Sequence, residues 1–429
     1  MKLKPFLTIL LLTYSCIMLD AKTFTYSQVH KMPQSVEKDY YIWRFLSQNT
    51  TTATEAKHII QDADHLNKKL RVAYKKKTGL IAHLKPKAPV SGNSKKAGSW
   101  KLKAQANQYF KAAIQSVKQN KLQKAADLFY AAHNKYVDRW EKDKSLFWLY
   151  LLTKDKYYLS QLKKSYHINM YTLLAADLTN SQYPKTIITP TIRKRSVYGI
   201  DAQDPIDWAM MKAKMKISSS TVLETMANDC ESQATVGMHT YLKAKACNYR
   251  KSYFPMPYKS TLKPLSKERQ ALIYAIARQE SRFVPASVSR SFALGMMQFM
   301  PFLIKHVAQK KGEHIDYDEI FNPIKAIEYA NFHLNYLNKY LYHPLFVAYA
   351  YNGGIGFTKR LIEQSSYFRE GSFEPYLSME KMSNVEAREY GKRVLTNYVV
   401  YLNKLGKPAR LLPYIKTLTN PVNTDKFRK

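Results

Sequence analysis

The chain has 429 residues, of which 45% are hydrophobic, enough for a sizeable core and two or three domains. Only 13 residues are glycine, which argues against a collagen-like repeat or a glycine-rich β architecture. Lys and Arg number 68 against 32 Asp and Glu, and the formal net charge of +36 favours a polyanionic partner such as nucleic acid, an anionic membrane or an acidic wall polymer.

The first 21 residues have the order of a secretory signal peptide. Lys2 and Lys4 precede an apolar run over residues 6–19, and Ala21 follows it closely. The run is short for a transmembrane helix, although an uncleaved anchor and peripheral association with a membrane stay open. We predict cleavage after Ala21 and localisation to the periplasm. Export argues against nucleic acid as the partner and leaves the cell wall.

Residues 22–261 are predicted to form an irregular α-solenoid with linkers. Thr52 and Glu55 have the spacing of a capping box at the start of one helix. Residues 75–96 are rich in Lys and contain Pro and Gly, which indicates a linker or mobile loop. Residues 99–180 are strongly helix-periodic with small and aromatic side chains, and we expect these rings to pack between helices.

The cysteines offer two alternatives. If Cys16 leaves with the signal peptide, Cys230 and Cys247 remain, and export favours a disulfide between them over two buried free thiols. The sequence contains no CxxC, no HExxH and no Cys/His cluster with zinc spacing. We therefore expect no metal and no cofactor.

The most informative stretch is ALIYAIARQESRF, residues 271–283. It reads as an amphipathic helix, and continuing its apolar stripe four residues beyond Ile276 reaches Glu280. A carboxyl group at a core position would have a raised pKa and could donate a proton near neutral pH. The simpler alternative is a glutamate at the edge of the stripe, ion-paired with Arg278 or Arg282.

Residues 262–408 are predicted to form a separate domain of about six compact helices, the first of them capped by Ser266. Three further short motifs follow Glu280-Ser281 in this domain. They are Gly295-Met296-Met297-Gln298 with Met300-Pro301, then Phe321-Asn322-Pro323, then Ala350-Tyr351-Asn352-Gly353-Gly354. Each motif is weak alone, and their order and gaps together are specific. Residues 409–429 are predicted to be an extended or disordered basic tail.

In this order the motifs resemble the soluble lytic transglycosylase family, over residues 262–405. The closing helix, with Glu386, Arg388 and Tyr390, is similar to the last motif of that family. The resemblance implies an all-α protein in which an irregular superhelical N-terminal region precedes a lysozyme-like catalytic domain. Arg290 and Phe292 replace the usual Pro and Gly of the family, and Gly tolerates backbone angles that Phe does not.

The resemblance also implies roles for individual residues. Glu280 would be the single catalytic acid and base, Ser289 would lie near the N-acetyl group of the substrate, and Tyr351 would donate a hydrogen bond near Glu280. The implied substrate-binding residues are Ser289, Gln298, Met300, Tyr351, Asn352 and Glu386.

The implied reaction is cleavage of the bond between N-acetylmuramic acid and N-acetylglucosamine in peptidoglycan strands, without water and with formation of a 1,6-anhydro ring. Two alternatives stay open. One is a muramidase on the same fold, which would need a second acid facing Glu280; Asp316 and Asp318 lie in the domain but match no catalytic position of the family. The other is a non-catalytic peptidoglycan-binding protein.

Overall fold

The computed structural model of the protein describes residues 22–84 and 94–428. Within these residues almost all regular structure is helical, and the only strands are β1 (Ile187–Ile188) and β2 (Ser252–Tyr253), which pair in parallel. The predicted all-α fold class is therefore confirmed. The predicted signal peptide and the middle of the predicted linker, residues 85–93, lie outside the described residues.

Four short helices open the described chain. They are α1 (Tyr26–His30), α2 (Val36–Ser47), α3 (Ala53–Ile59) and α4 (Lys68–Thr78), with a 3₁₀ turn at Ile60–Asp62. The predicted capping box is present at the start of α3. The Glu55 N–H donates to the Thr52 hydroxyl, and the Thr52 N–H donates to the Glu55 carboxylate.

Five consecutive helices follow, and each packs against the next. They are α5 (Ser94–Lys118), α6 (Leu122–Lys135), α7 (Arg139–Thr153), α8 (Lys156–Lys163) and α9 (Met170–Leu178). The Phe129 ring stacks on Trp148 with centroids 5.3 Å apart and meets the edge of Phe110 at 5.1 Å. All three rings are buried. They pack the space between helices as predicted.

A segment of three helices with its own small core joins this region to the C-terminal half. The helices of this segment are α10 (Pro205–Ile217), α11 (Ser220–Asp229) and α12 (Val236–Ala246). Trp208, Leu223 and Met238 belong to the small core. The strand pair β1–β2 ties the loop before α10 to the chain after α12.

The predicted disulfide is wrong, because Cys230 and Cys247 are both free thiols. Cys230 follows the end of α11 and Cys247 follows the end of α12. The two helices run antiparallel, with Lys243 of α12 bonded to Glu224 of α11 at 2.6 Å. The thiols therefore lie at opposite ends of the hairpin, about 15 Å apart along the helix axis. A disulfide requires Cα atoms within about 7 Å.

The C-terminal half consists of short helices, three of which begin at prolines. Its helices are α13 (Lys259–Leu262), α14 (Lys267–Glu280), α15 (Pro301–Lys311), α16 (Pro323–Asn338), α17 (Pro344–Gly353), α18 (Ile355–Ile362), α19 (Tyr376–Lys381), α20 (Val385–Lys404) and α21 (Leu411–Thr417), with 3₁₀ turns at Tyr317–Phe321 and Pro421–Asn423. Proline suits the first helical position because its missing N–H would have no partner there. The Ser266 hydroxyl accepts from the Arg269 N–H, which confirms the predicted cap of α14.

The long helix α20 is the common neighbour of α14 and α17. The crossing with α17 depends on Gly391. A Cβ atom at this position would lie 2.2 Å from Cε1 of Tyr349, so no larger residue fits without moving the helices. This close approach fixes the start of α20 against the ends of α14 and α17. Those three helix ends surround the site described below.

The predicted extended tail is also wrong. Leu411, Ile415 and Leu418 have helical spacing and are buried. They dock α21 onto the rest of the fold. Near the end of the chain, the buried guanidinium of Arg428 pairs with Asp425 at 2.7 Å and donates to the Phe368 carbonyl at 2.6 Å. The apolar stripe was a signal for order that the basic composition obscured.

Candidate active site

Glu280 is the last residue of α14, one turn beyond the fully buried Ile276. Its side chain is half-buried, as the apolar stripe predicts. The Tyr390 hydroxyl, from the first turns of α20, donates to Oε1 of Glu280 at 2.6 Å. Tyr390 is itself only 5% exposed. The carboxyl group therefore faces a neutral donor in a largely water-excluded setting.

Burial raises the pKa of Glu280 to about 8. The hydrogen bond from Tyr390 acts in the opposite direction and lowers the pKa, while the negative charge of Glu386 raises it further. At neutral pH the folded protein therefore holds Glu280 mainly in its protonated form. A protonated carboxyl group in this position can donate a proton to a bound substrate.

The simpler interpretation, an ion pair with a neighbouring arginine, does not hold. Arg278 donates to the Tyr253 carbonyl at 2.8 Å and to Oδ1 of Asn397 at 2.7 Å. Arg282 lies over the ring of Tyr249. Among the residues that the structure describes, Glu280 makes no ion pair with any Lys, Arg or His.

Tyr351 lies beside Glu280, and its hydroxyl bonds the loop rather than the carboxyl group. Its hydroxyl donates to the Met297 carbonyl at 3.0 Å, and its ring contacts Phe299 and His333. Burial raises the pKa of Tyr351 well above its usual range, and the charge of Glu280 raises it further. The donor to Glu280 is Tyr390, a residue that sequence reasoning placed in the closing motif without giving it this role.

The loop between α14 and α15 is held by its own backbone and by small residues. The Ser281 hydroxyl donates to the Met296 carbonyl at 2.8 Å. Gly295 has φ +75°, and a Cβ atom there would lie 2.4 Å from the carbonyl oxygen of Ile320. The first position of the Gly-Met-Met-Gln motif therefore requires glycine, because a side chain there would clash with the Ile320 carbonyl.

Three predicted substrate-binding residues belong to this loop. Gln298 has φ +52°, and its Nε2 donates to the Gly295 carbonyl at 2.9 Å and the Ser287 carbonyl at 3.1 Å. The Ser289 hydroxyl accepts from the Ala293 N–H at 2.9 Å. Met300 is half-buried and immediately precedes α15. Gln298 and Ser289 thus stabilise the loop, and each uses only part of its hydrogen-bonding capacity to do so.

Phe292 adopts the left-handed conformation that its replacement of Gly put in question, with φ +60°. Such a backbone costs a non-Gly residue about 1–2 kcal/mol. The side chain is fully buried between Tyr40 and Trp43 of α2, with ring centroids 6.0 and 5.7 Å away. Burying a large aromatic ring stabilises by about 1.5–3 kcal/mol, enough to offset the strain. The departure from the family pattern therefore anchors the loop to the N-terminal helices.

The remaining two predicted residues meet across the ends of α17 and α20. Nδ2 of Asn352 lies 3.3 Å from Oε1 of Glu386, which is solvent-exposed. The structure thus brings Asn352 and Glu386 together. The negative charge of Glu386 raises the pKa of Glu280.

The carboxylates of Asp316 and Asp318 are engaged elsewhere. Arg44 of α2 binds Asp316 at 2.6 Å and Asp318 at 2.8 Å, and the Tyr40 hydroxyl donates to Asp318 at 2.7 Å. These two acids hold the N-terminal helices against the turn at Tyr317–Phe321. They are not partners of Glu280.

Residues 22–84 and 94–428 contain neither a metal-binding cluster nor a membrane-spanning helix. No three His, Cys, Asp or Glu side chains in this part of the chain converge as a metal site would require. No helix in the same part combines the length and apolarity needed to cross a bilayer.

Comparison with known proteins agrees with this site. Residues 265–371 match the family model described as "Transglycosylase SLT domain". These residues therefore form a transglycosylase SLT domain, as the motifs of the sequence predict. The matched residues include Glu280, Ser289, Gln298 and Tyr351, and stop before Glu386 and Tyr390 on α20.

Curated relatives with the name "Soluble lytic murein transglycosylase" include those of Salmonella typhimurium and Escherichia coli K12. The protein of Salmonella typhimurium is 24% identical over 233 residues, and that of Escherichia coli K12 is 24% identical over 232 residues. Each match covers 52% of this chain and 34% of the relative, so the chain spans about a third of their length. Among solved structures, the lytic transglycosylase Slt of Pseudomonas aeruginosa is 16% identical, with 90% of this chain and 63% of that chain covered and a TM-score of 0.49.

Proposed function

We propose that the protein is an exported peptidoglycan lytic transglycosylase. It cleaves the β-1,4 bond between N-acetylmuramic acid and N-acetylglucosamine and closes a 1,6-anhydro ring on the muramoyl residue. The observation that carries this proposal is Glu280, a half-buried carboxylic acid with a pKa of about 8 and a neutral phenol as its partner. The family of the matched domain supports it.

The reaction needs one carboxyl group acting twice. Protonated Glu280 donates its proton to the glycosidic oxygen, and the bond from C1 to that oxygen breaks. The Glu280 carboxylate then accepts the proton of the muramoyl 6-hydroxyl while O6 bonds to C1. The carboxyl group ends protonated, as it began, and no water is consumed. General acid–base catalysis of this kind accelerates a reaction by about 10²–10⁴-fold.

Most glycosidases use a second carboxylate as nucleophile or base. Here Asp316 and Asp318 are bound to Arg44 and the Tyr40 hydroxyl. The N-acetyl oxygen of the substrate takes the place of the second carboxylate, as in substrate-assisted enzymes: it bonds to C1 as the glycosidic bond breaks, and that bond breaks in turn when O6 attacks C1.

Tyr390 stabilises the intermediate state of Glu280. A phenol hydroxyl is a poor acid and stays protonated, so it continues to donate to Oε1 after the carboxyl group ionises. Burial raises the pKa of Tyr390 well above its usual range, and the charge of Glu280 raises it further. The proton of Tyr390 is therefore not available for transfer to substrate. Glu280 alone exchanges protons.

The remaining predicted residues form the substrate cleft. Ser289 orients the acetamido group, and Gln298 and Met300 line the sugar-binding surface above the loop. Asn352 and Glu386 form the opposite wall, where the ends of α17 and α20 meet. The net charge of +36 attracts the carboxylates of wall peptides at long range. The protein works in the periplasm.

The test is mass spectrometry of the soluble products from purified peptidoglycan, with Glu280→Gln beside the wild type. We expect muropeptides ending in 1,6-anhydro-muramic acid from the wild type and none from the variant. Glu363→Gln, which alters an exposed glutamate directly after α18, is the matched control and should cleave normally. Wild-type protein that releases no anhydro product would overturn the proposal.

A muramidase is the second candidate, because Glu386 gives the site a second acid whose charge reaches Glu280. In that reaction Glu386 would activate water, and every product would be heavier by one water molecule. The same mass spectra therefore decide between the two reactions. Wall binding without release of any product would instead favour the non-catalytic alternative.

A further inference from the structure

A second cavity lies on the other side of α14 from the carboxyl group of Glu280. It has a volume of about 310 Å³, and α7, α12, α14 and α20 contribute to its walls. Arg278 lines this cavity, and it is two residues before Glu280. Two residues on a helix point about 200° apart, so the cavity and the catalytic carboxyl group occupy opposite sides of α14.

The walls of the cavity are strongly cationic. Arg278, Arg282, Arg393 and Lys251 line it, and the one lining carboxylate is that of Asp138. Asp138 already caps α7, where it accepts from the Trp140 N–H at 2.9 Å. Four positive charges thus face a single carboxylate that is engaged with backbone.

Arg278 is held in place by neutral groups alone. Its guanidinium donates to the Tyr253 carbonyl and to Asn397, and it stacks on the Phe254 ring at 3.8 Å. Burial lowers the pKa of Arg278 to about 10, and the nearby charge of Arg282 lowers it further. A buried cation of this kind would be stabilised by an anion, and the described residues supply none in ion-pair contact.

Arg282 and Arg393 are exposed and pre-oriented by aromatic rings. Arg282 lies over Tyr241 and Tyr249 at 5.3 and 5.0 Å, and Arg393 lies over Trp140 at 5.2 Å. Neither guanidinium makes an ion pair among the described residues. Stacking fixes the plane of a guanidinium and leaves its N–H edge free, which suits bidentate binding of a carboxylate.

The neutral lining adds hydrogen-bonding groups without negative charge. Gln279, Ser252 and Thr240 contribute amide and hydroxyl groups. Burial lowers the pKa of His167 to about 4, and the charges of Arg278 and Arg393 lower it further, so its imidazole is neutral near pH 7. The cavity is therefore built to receive a compact anionic, polar ligand.

We propose that this cavity binds the carboxylates of a stem peptide of the peptidoglycan that is cleaved at Glu280. The inference rests on the proposed function, which makes wall peptides the anions nearest to the protein. The volume suits a peptide of two to three residues and is too small for a glycan strand. The N–H edges of the Arg282 and Arg393 guanidinium groups donate hydrogen bonds to one or two carboxylates of that peptide.

The first experiment measures binding by calorimetry, with purified stem tetrapeptide as the probe and full-length protein. We expect the double variant Arg282→Gln/Arg393→Gln to bind about 100-fold more weakly, about tenfold for each lost charged contact. Arg193→Gln/Arg195→Gln is the control. It removes the same charge from two exposed arginines outside the cavity and should bind as the wild type does.

Three results of this experiment would overturn the inference. They are unchanged affinity in the cavity variant, equal loss in the control variant, and binding of inorganic phosphate as tight as that of the peptide. The last would show a general anion site. Tetrapeptide amidated at its carboxylates should bind as weakly as the cavity variant binds the native peptide, and equal binding of the amidated form would also contradict the proposal.

A second experiment separates this inference from the proposed function. Intact peptidoglycan and strands stripped of peptide by an amidase are compared as substrates. The cavity variant should cleave stripped strands as the wild type does and intact strands about tenfold more slowly. If the wild type cleaves both and the variant matches it on both, the inference fails alone. If the wild type releases no anhydro product yet binds peptide through these arginines, the proposed function fails alone.

Discussion

Carboxyl groups lie on two sides of helix α20, Glu380 and Glu389 on one and Glu280 on the other. The side chains that face them differ in charge. On one side Nζ of Lys392 binds Glu380 at 2.7 Å and Glu389 at 3.3 Å. On the other side Tyr390 donates to Glu280. Burial raises the pKa in both places, but at Glu389 the charges of Lys392 and its neighbours outweigh burial and hold the pKa below its usual range.

The charge of the partner decides whether the effect of burial prevails: cations outweigh burial at Glu389, whereas the neutral phenol at Glu280 does not. Lys392 and Tyr390 are two residues apart on one helix and so point in nearly opposite directions. A cation on one face produces a structural cluster, to which the Trp140 Nε1–H and the Tyr171 hydroxyl also donate. A neutral phenol on the other face leaves an acid that titrates near neutral pH.

The largest effect should come from breaking the structural cluster. Lys392→Met leaves Glu380 and Glu389 buried without their shared cation, and we expect it to lower the free energy of unfolding by about 3–5 kcal/mol. Urea denaturation of the variant measures this loss. Adding Glu380→Gln and Glu389→Gln should restore part of it. Lys359→Met, at an exposed and weakly paired lysine, is the control, and an equal loss there would contradict the interpretation.

The next effect is on the pH dependence of the free energy of unfolding, and it arises from Glu280. Its folded pKa of about 8 exceeds the unfolded value of 4.5, so ionisation of the unfolded chain progressively destabilises the fold between these pH values. Glu280→Gln removes this loss. Because Glu280 is only half-buried and solvent screens part of the effect, we expect less than the full linkage of about 1.4 kcal/mol per pKa unit, namely a gain of about 2 kcal/mol for the variant over the wild type at pH 8.5 relative to pH 4.5. Chemical denaturation at both pH values checks it, and a difference independent of pH would contradict the raised pKa.

A smaller effect should follow from removing the phenol. Tyr390→Phe deletes the bond that lowers the pKa of Glu280, and its loss should raise that pKa by about one unit. The upper limb of the pH profile of kcat/KM should move to higher pH by the same amount, with a rate at pH 7 about tenfold lower because the carboxylate is less stabilised. Tyr336→Phe, at an exposed tyrosine of α16, should leave the profile unchanged.

The smallest effect should have the opposite sign. Glu386→Gln removes a negative charge that raises the pKa of Glu280, so the upper limb should move to lower pH. Because Glu386 is exposed and screened by solvent, we expect a shift of about half a unit. Measurement at two ionic strengths sharpens the test, since the wild type and the variant should converge at high salt. A shift to higher pH would contradict the electrostatic assignment.

Local patterns in the sequence predicted the parts of the site that depend on one helix. The apolar stripe of α14 placed Glu280 at a buried edge, and Ser266 marked the start of the helix correctly. The role of Tyr390 depends on how α20 crosses α14, over 110 residues away in the chain, and no local pattern encodes it. The hydroxyl of Tyr351 donates to the Met297 carbonyl, a partner that no local pattern encodes either.

Two other expectations failed because composition was weighed above pattern. The tail is basic, yet Leu411, Ile415 and Leu418 form a stripe that buries α21. The count of two cysteines favoured a disulfide, but the antiparallel hairpin of α11 and α12 separates them. Phe292 looked unfavourable in isolation. Its partners, Tyr40 and Trp43, lie some 250 residues earlier in the chain, beyond the reach of any local reading.

The contact between the N-terminal helices and the loop of the site has a consequence for the order of folding. Arg44 and Asp316 are 272 residues apart, so their ion pair cannot close until the chain has been made as far as residue 316, and such distant contacts form slowly. The pocket for Phe292 is completed only by that same docking. A partly folded chain would carry Glu280 on an otherwise formed helix beside an unanchored loop. Under the proposed function, the site would stay incomplete until α2 had docked against the turn at Tyr317–Phe321.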